Sequence, residues 1–293
     1  MFLIVDSGAT GCKWDFVEGG SVVCHHVCDG VNFAHQAGDL SSLLPPASYE
    51  ALVGTLGRYP GVSAVHFYGA GLILGPGGEL PASVREADAL LRRFFPQAQI
   101  EYASDLLAAA RAVCGREAGI AGILGTGSNS CLYDGERIVR NVHSSGYILG
   151  DEGGGVSLGR NFMADFLKGL VPAELAEEFA AAFPVDYVTV VRQVYKGERP
   201  AAYLASFAPW IMQRYERSEY VRALADANFR SFIDRCLAQY DYHRYPVGIV
   251  GGFGKANEGI FRRVAEGCGI RISSIADSPL EGLKKYHSAG YGL

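Results

Sequence analysis

Two short turns of small residues, Asp6-Ser7-Gly8-Ala9-Thr10-Gly11 and Gly125-Thr126-Gly127-Ser128-Asn129, each break an apolar run that then resumes as a hairpin. Backbone N–H groups in such turns form anion-binding concavities, and glycine lets the main chain approach an oxygen closely. At a constant offset of 119 residues the two stretches share Ile4/Ile123, Gly8/Gly127, Cys12/Cys131 and Asp15/Asp134. Two turns of this kind, facing each other, hold a polyphosphate from both sides. Ser7, Gly8, Ala9, Thr10 and Gly11 of the first, with Gly125, Thr126, Gly127 and Ser128 of the second, are the candidate phosphate ligands.

Carboxylates stand beside these turns. Asp6 ends an apolar strand, where it can hold Mg²⁺ through water or serve as an Asx-turn residue; its pairing with Gly8 and Thr10 favours the metal. Asp105 follows a second strand and opens a helix. There it reads as an N-cap, as a base that orients an acceptor hydroxyl, or as both; a carboxylate at a helix N-terminus is expected to stay ionised and weakly basic. Gly150-Asp151-Glu152-Gly153-Gly154-Gly155 is the densest glycine cluster, and its two acids suit bidentate bonding to sugar hydroxyls, Asp151 first and Glu152 in support. Gly251-Gly252-Phe253-Gly254, between a strand and a helix, suits a backbone laid against an adenosine, with Lys255 near phosphate or ribose or simply solvated. Cys24-His25-His26-Val27-Cys28 invites a zinc reading, but no second His/Cys cluster completes four ligands, so a strand with mixed faces is the better account.

The elements that position these residues fall into two similar halves. Residues 2–28 read as a three-stranded meander, followed by a helix near 49–56, a buried strand at 64–68, a helix over 83–95, a short strand at 100–103 and a helix at 106–114. The second half repeats the opening at 120–124, 130–133 and 137–142, with an Asp134-Gly135 hairpin signal. A helical insert follows at 172–183, 186–195, 201–214 and 219–240, then a strand at 247–250, a helix at 255–267, a short strand and a helix at 280–289. The fold class is α/β with two domains, residues 1–117 and 118–293, the second carrying the insert.

The composition agrees. The chain has 293 residues, 49% hydrophobic and 19% charged, ample for two packed cores. A net charge of −5 argues against nucleic acid or an anionic membrane as partner. The apolar start, Phe2 to Val5, is too short for a leader or a span, and no later run approaches the roughly 18 apolar residues a span needs. Seven cysteines at irregular spacing suit reduced thiols in the cytoplasm.

In this order the parts resemble the sugar-kinase/Hsp70/actin superfamily and, within it, the N-acetylglucosamine kinase-like, BadF/BadG/BcrA/BcrD ATPase family. The match is carried by Ile4 to Thr10, Gly30-Val31-Asn32, Phe67 to Gly71, Ser104-Asp105, Ile123 to Ser130, Gly146 to Gly153 and Ser278 to Leu283. The resemblance implies two RNase H-like (actin/hexokinase-type) domains with an interdomain ATP cleft, Mg²⁺ held at Asp6 and Asp105 as catalytic base. It implies sugar contacts at Asn32, Gly71, Asp105, Tyr147, Gly150, Asp151 and Glu152, and allows a homodimer. Relatives carry lysine directly after the position of Thr10; here Gly11-Cys12-Lys13 follows, leaving Lys13 to reach in from the neighbouring position. The expected activity is ATP-dependent phosphorylation of an amino sugar, N-acetylglucosamine at its 6-hydroxyl, with glucosamine or N-acetylmuramic acid as the alternative substrate. An ATPase activator of a radical dehydratase shares the fold, but its Gly-Gly-Gln-Asp helix start beside a cluster-binding cysteine is absent. An actin-like filament or chaperone ATPase is disfavoured by the lack of long insertions.

Overall fold

In this computed structural model, residues 1–8, 10–30, 33 and 44–289 are described. They form two compact units, each built on a five-stranded mixed sheet. Unit 1 holds β1 (Phe2–Ser7), β2 (Gly11–Glu18), β3 (Ser21–Asp29), β4 (Ala64–Gly69) and β5 (Gln99–Ser104) in the order β3-β2-β1-β4-β5. β1 pairs antiparallel with β2 and parallel with β4, which places it at the centre. Both of its faces are therefore covered, so it reads as an unbroken apolar run rather than an alternation. Leu3 and Val5 pack with Trp14, Phe16 and Phe67 on one side, whereas Phe2 and Ile4 pack with Val17, Ala64 and Tyr68 on the other.

Helices α1 (Pro46–Leu56) and α2 (Ala82–Phe94) contribute Leu52, Leu56, Val84 and Leu91 to the first face. Helix α3 (Asp105–Cys114) contributes Ala108 to the second.

Unit 2 repeats the topology. β6 (Gly119–Leu124), β7 (Ser128–Tyr133), β8 (Ile138–Val142), β9 (Val247–Val250) and β10 (Ile272–Ala276) run in the order β10-β9-β6-β7-β8. The first turn is closed by the pair Ser7–Cys12 and the second by Leu124–Ser128, so the equivalent positions lie 117 apart in β1 and β6 (124 − 7) and 116 apart in β2 and β7 (128 − 12), not 119. The four identities at 119 therefore do not occupy equivalent places: the offset is two residues too long in the first strand, which keeps the face, and three too long in the second, which reverses it.

The helices of unit 2 begin with α4 (Gly146–Leu149), α5 (Gly155–Leu167), α6 (Ala173–Ala182) and α7 (Tyr187–Lys196). The expected helix over 201–214 is two, α8 (Pro200–Ala205) and α9 (Ala208–Met212), because Pro209 offers no backbone donor and Ser206 Oγ bonds Tyr203 O. α10 (Glu219–Arg235) stops before 240 and gives way to a short 3₁₀ turn. The insert has its own core. Phe179 meets Phe162, Phe166, Phe207 and Trp210 edge-on at centroid distances of 4.9, 4.8, 5.4 and 5.1 Å, the arrangement that aromatic quadrupoles favour. After β9 come α11 (Gly252–Ala256) and α12 (Glu258–Gly267), split at Asn257, where one helix was expected.

The last helix, α13 (Leu280–Ser288), departs from the expected 118–293 domain. The segment from Pro279, with Gly135–Arg137, belongs to unit 1. Gly282 makes this possible: a Cβ there would stand 2.3 Å from Ala112 O of α3. The close approach buries Leu280 and Leu283 with Phe2 and Ile4.

Candidate active site

In unit 1, side-chain alternation puts Asp6 on the same face as Phe2 and Ile4, the face that α3 covers. Lys13 lies directly opposite Asp6 on β2, and Asp15 opposite Ile4. Burial raises the Asp6 carboxyl to about 6; the Lys13 ammonium pulls it down and the Asp15 charge pushes it up. The cap of α3 is Ser104, whose Oγ accepts the Leu107 N–H at 3.2 Å. Asp105 is thus the first helical residue and its carboxylate is released from capping. Burial first, then the Asp6 charge, raises it to about 7, against the N–H groups of Leu106 and of Asp105 itself. The expectation of a firmly ionised, weak base is overturned, because desolvation outweighs the helix terminus. Both acids keep partial exposure. A carboxylate balanced near neutrality is what general-base chemistry requires.

The first turn is closed by Gly8 N–H to Gly11 O at 2.9 Å. Gly30 packs on it so tightly that a Cβ would fall 2.2 Å from Gly8 O. Ser7 accepts the Ala70 N–H at its carbonyl (2.8 Å), and Ala70 O accepts the Phe33 N–H (3.0 Å). The turn, Gly30, Phe33 and the loop at Gly71 (φ 70°) are thereby brought together. The Ser7 side chain is buried toward Cys12, on the face opposite Asp6, while Thr10 is exposed. Ala9 and Asn32 lie outside the described residues.

In unit 2 the second turn is held by Gly125 N–H to Gly127 O (3.0 Å), Gly155 N–H to Gly125 O (2.9 Å) and Val156 N–H to Thr126 O (2.8 Å). The Ser128 N–H is taken by Asp151 Oδ1 at 3.0 Å. Among the described residues, the N–H groups of Thr126 and Gly127 have no partner, and Ser128 Oγ is buried without one. These orphaned donors fit a phosphate oxygen. Asp151 adopts φ 57° and lies so close to Gly127 that a Cβ there would meet its Oδ1 at 2.6 Å. Burial raises its carboxyl while the Ser128 N–H opposes the rise.

Glu152 pairs with Arg235 at 2.9 Å, so the two adjacent acids have separate duties. Gly150 has no space for a side chain, and the carbonyl of Tyr147 accepts from Arg160. Gly251 (φ 135°) approaches Leu124, where a Cβ would stand 2.3 Å from its carbonyl oxygen; Gly252 opens α11. Lys255 is engaged by Glu258 at 2.7 Å.

Two contributors went unread in the sequence. Asn228 accepts the Gly153 N–H and donates to Gly154 O, both at 3.3 Å, and so pins the glycine loop. Its signal was a polar residue within the apolar stripe Val221, Ala225, Phe232 of α10. Asp15 is buried and bonds His25 Nδ1 at 2.5 Å. Along β3, His25 turns to Asp15, His26 to Thr55 (3.1 Å) and Cys28 to Trp14, so Cys24 to Cys28 does not converge on a metal. Among the described residues, His66, Glu101 and His287 are dense enough for an ion. The two imidazoles, however, stack face to face at 3.5 Å and 17°, His66 Nδ1 is bonded to Glu101 (3.0 Å), His287 Nε2 to the Tyr68 hydroxyl (2.8 Å), and Arg111 claims Glu101 at 2.8 Å, so the group is engaged within the protein.

No protein-family model matches the chain, and no curated protein sequence matches it. Among solved structures, a candidate N-acetylglucosamine kinase from Porphyromonas gingivalis is 34% identical, covering 99% of this chain and 100% of its own, with a TM-score of 0.89. A candidate N-acetylglucosamine kinase from Chromobacterium violaceum (18% identity, 98% and 99% coverage, TM-score 0.69) shares the fold. So does a ROK family glucokinase from Streptomyces griseus in complex with glucose and AMPPNP (16%, 98% and 98%, 0.55). On the first of these likenesses and the duplicated five-stranded sheets, the chain belongs to the N-acetylglucosamine kinase-like family of ATP-dependent sugar kinases in the actin/hexokinase superfamily.

Proposed function

We propose that the protein transfers the γ-phosphoryl group of ATP to the 6-hydroxyl of an amino sugar, N-acetylglucosamine before glucosamine or N-acetylmuramic acid. The observation that carries this reading is Asp105 at the start of α3, relieved of capping by Ser104 and raised to about 7 by burial and Asp6. The likeness to the 34% identical candidate N-acetylglucosamine kinase supports the substrate class.

In this reading the Asp105 carboxylate accepts the hydroxyl proton as the sugar oxygen bonds to the γ-phosphorus and the bond to the β-phosphate oxygen breaks. Phosphoryl transfer needs positioning and charge stabilisation more than strong proton abstraction. The partnerless N–H groups of Thr126 and Gly127, with Ser128 Oγ, receive phosphate oxygens in unit 2. Gly8, Thr10, Gly11 and Lys13 do so in unit 1, and Gly251 and Gly252 lie along the adenosine. Asp6, a partly buried carboxylate, would hold Mg²⁺, which supplies charge neutralisation on the phosphates. Asn32, Gly71 and the 147–152 loop are assigned to the sugar, with Asp151 also bracing the phosphate turn. Residues 1–117 and 118–293, less the segment from Pro279, are taken as the two RNase H-like lobes.

All seven cysteines are free thiols and no helix among the described residues is long and apolar enough to cross a membrane, which supports a cytoplasmic setting. The net charge of −5 supports a small-molecule partner over nucleic acid, and the homodimer is a family-level expectation that light scattering reads directly. A coupled ADP-release assay across amino sugars tests the function. Turnover with N-acetylglucosamine is expected to exceed that with glucose, and no sugar-dependent ADP release from any amino sugar would refute the reading.

A further inference from the structure

We propose that Cys12 and Cys28 are a modification site: a cross-strand dithiol that closes to a reversible disulfide when hydrogen peroxide reaches it. The two residues are direct partners in the β2–β3 register. Directly opposed residues in an antiparallel pair have Cα atoms about 4.5 or 5.5 Å apart, and both values fall within the span a disulfide tolerates. No strand has to move for the bond to form. Both side chains project to the same face, with Trp14 and Phe67. Cys24 shares that face of β3 but lies four residues away, roughly 13 Å along the strand, so it does not compete.

The pair is chemically asymmetric. Trp14 Nε1 donates to Cys28 Sγ at 3.4 Å. The Cys12 thiol bonds to it as well and is the main cause lowering Cys28, while burial drives Cys12 well above the usual thiol range. Cys28 is therefore the attacking sulfur and Cys12 the resolving one. A narrow cleft lined by Ser7, Cys12, Trp14, Cys28, Asp29 and Phe33 borders the pair, with room for a molecule about the size of water, and the two cysteines are 3% and 9% exposed.

The chemistry balances in two steps. The Cys28 thiolate attacks hydrogen peroxide, forming S–O as O–O breaks, and the departing hydroxide takes a proton to become water. The Cys12 thiol then displaces the sulfenic oxygen, S–S forming as S–O breaks, and its proton leaves with hydroxide as water. Two thiols are oxidised by two electrons and one peroxide is reduced. Intracellular disulfides in ordinary proteins are mostly transient and redox-sensing, which suits a pair that begins reduced.

The location gives the bridge a consequence. Cys12–Cys28 is flanked by the Gly11–Asp29 and Lys13–Val27 pairs, beside the first glycine turn. Resting on the kinase reading, covalent closure there should slow turnover several-fold, with recovery in dithiothreitol.

The test uses the intact, reduced protein and hydrogen peroxide, followed by alkylation and mass spectrometry. Loss of about 2 Da, protection of two of the seven thiols, a peptide pair joining Cys12 to Cys28 and full reversal by dithiothreitol are expected. In Cys12→Ser the reaction should stop at a dimedone-reactive sulfenic acid on Cys28. Alkylation of all seven cysteines, a bridge between other residues, or an unreactive Cys28 in that variant overturns the proposal. The thiol count requires no turnover, so it stands or falls separately from the kinase assay.

Discussion

Asp151 Oδ1 accepts the backbone N–H of Ser128 at 3.0 Å while its own backbone is held at φ 57°. One carboxylate thus fixes the edge of the second glycine turn, and the strained conformation keeps it there. Asp151→Ala should leave the buried Ser128 N–H unsatisfied and put alanine in the left-handed region, together costing about 2–4 kcal/mol. Asp151→Asn retains an acceptor and tolerates that conformation, so its loss should stay below about 1 kcal/mol. Urea unfolding separates the two; equal losses would show that the bond does not brace the turn.

The Asp6–Asp105 pair predicts the pH profile. A base must be deprotonated to act, so kcat should fall as pH drops through about 7, the value to which Asp105 is raised. Asp6→Asn removes the neighbouring negative charge, and the acid limb should move to lower pH. A limb unmoved in Asp6→Asn would remove Asp105 as its origin. Asp105→Asn should lower turnover by roughly two or more orders of magnitude with ATP affinity within a few-fold.

The same pair should cost the fold stability. Both carboxyls hold their protons more tightly folded than unfolded, so stability is fully present below about 4 and declines as pH rises toward about 6 and 7. Asp105→Asn, neutral throughout, should melt higher than the parent at pH 8, and the gain should vanish by about pH 4. Calorimetry across that window reads the sign directly, and a variant that melts lower at pH 8 would contradict it.

Glycines that look alike in sequence should respond oppositely. Gly251→Ala meets Leu124 O at 2.3 Å with φ 135°, and Gly282→Ala meets Ala112 O at 2.3 Å. Each should destabilise by about 2 kcal/mol or more. Gly252→Ala has open space at the first position of a helix and should be neutral or stabilising by about 0.5–1 kcal/mol. Thermal melting of the three variants checks the order.

How far these features were legible depends on their range. The turns, the strands around them and Asp105 at a strand–helix junction follow from local pattern, since small residues and periodicity act over a few positions. Which of Ser104 and Asp105 caps α3 does not, because either side chain can cap and only geometry decides. The perturbed acidity of Asp105 was unreadable for a related reason: desolvation comes from packing on β1, almost a hundred residues earlier. Asp151 and Glu152 are neighbours of equal type, yet one serves Ser128 and the other Arg235, a division set by left-handed backbone at Asp151. The destination of the 280–288 helix was equally hidden, as its apolar stripe fits either sheet, and Gly282 was the one local clue.

That destination has a consequence for biosynthesis. The strands of unit 1 leave the ribosome first, but Leu280 and Leu283, which cover Phe2 and Ile4, are added only after the whole of unit 2. Until then that face has only part of its cover, from α3, while more than half of the polypeptide is translated. A fragment ending at residue 117 should therefore aggregate, and a separately supplied peptide spanning residues 279–289 should rescue its solubility.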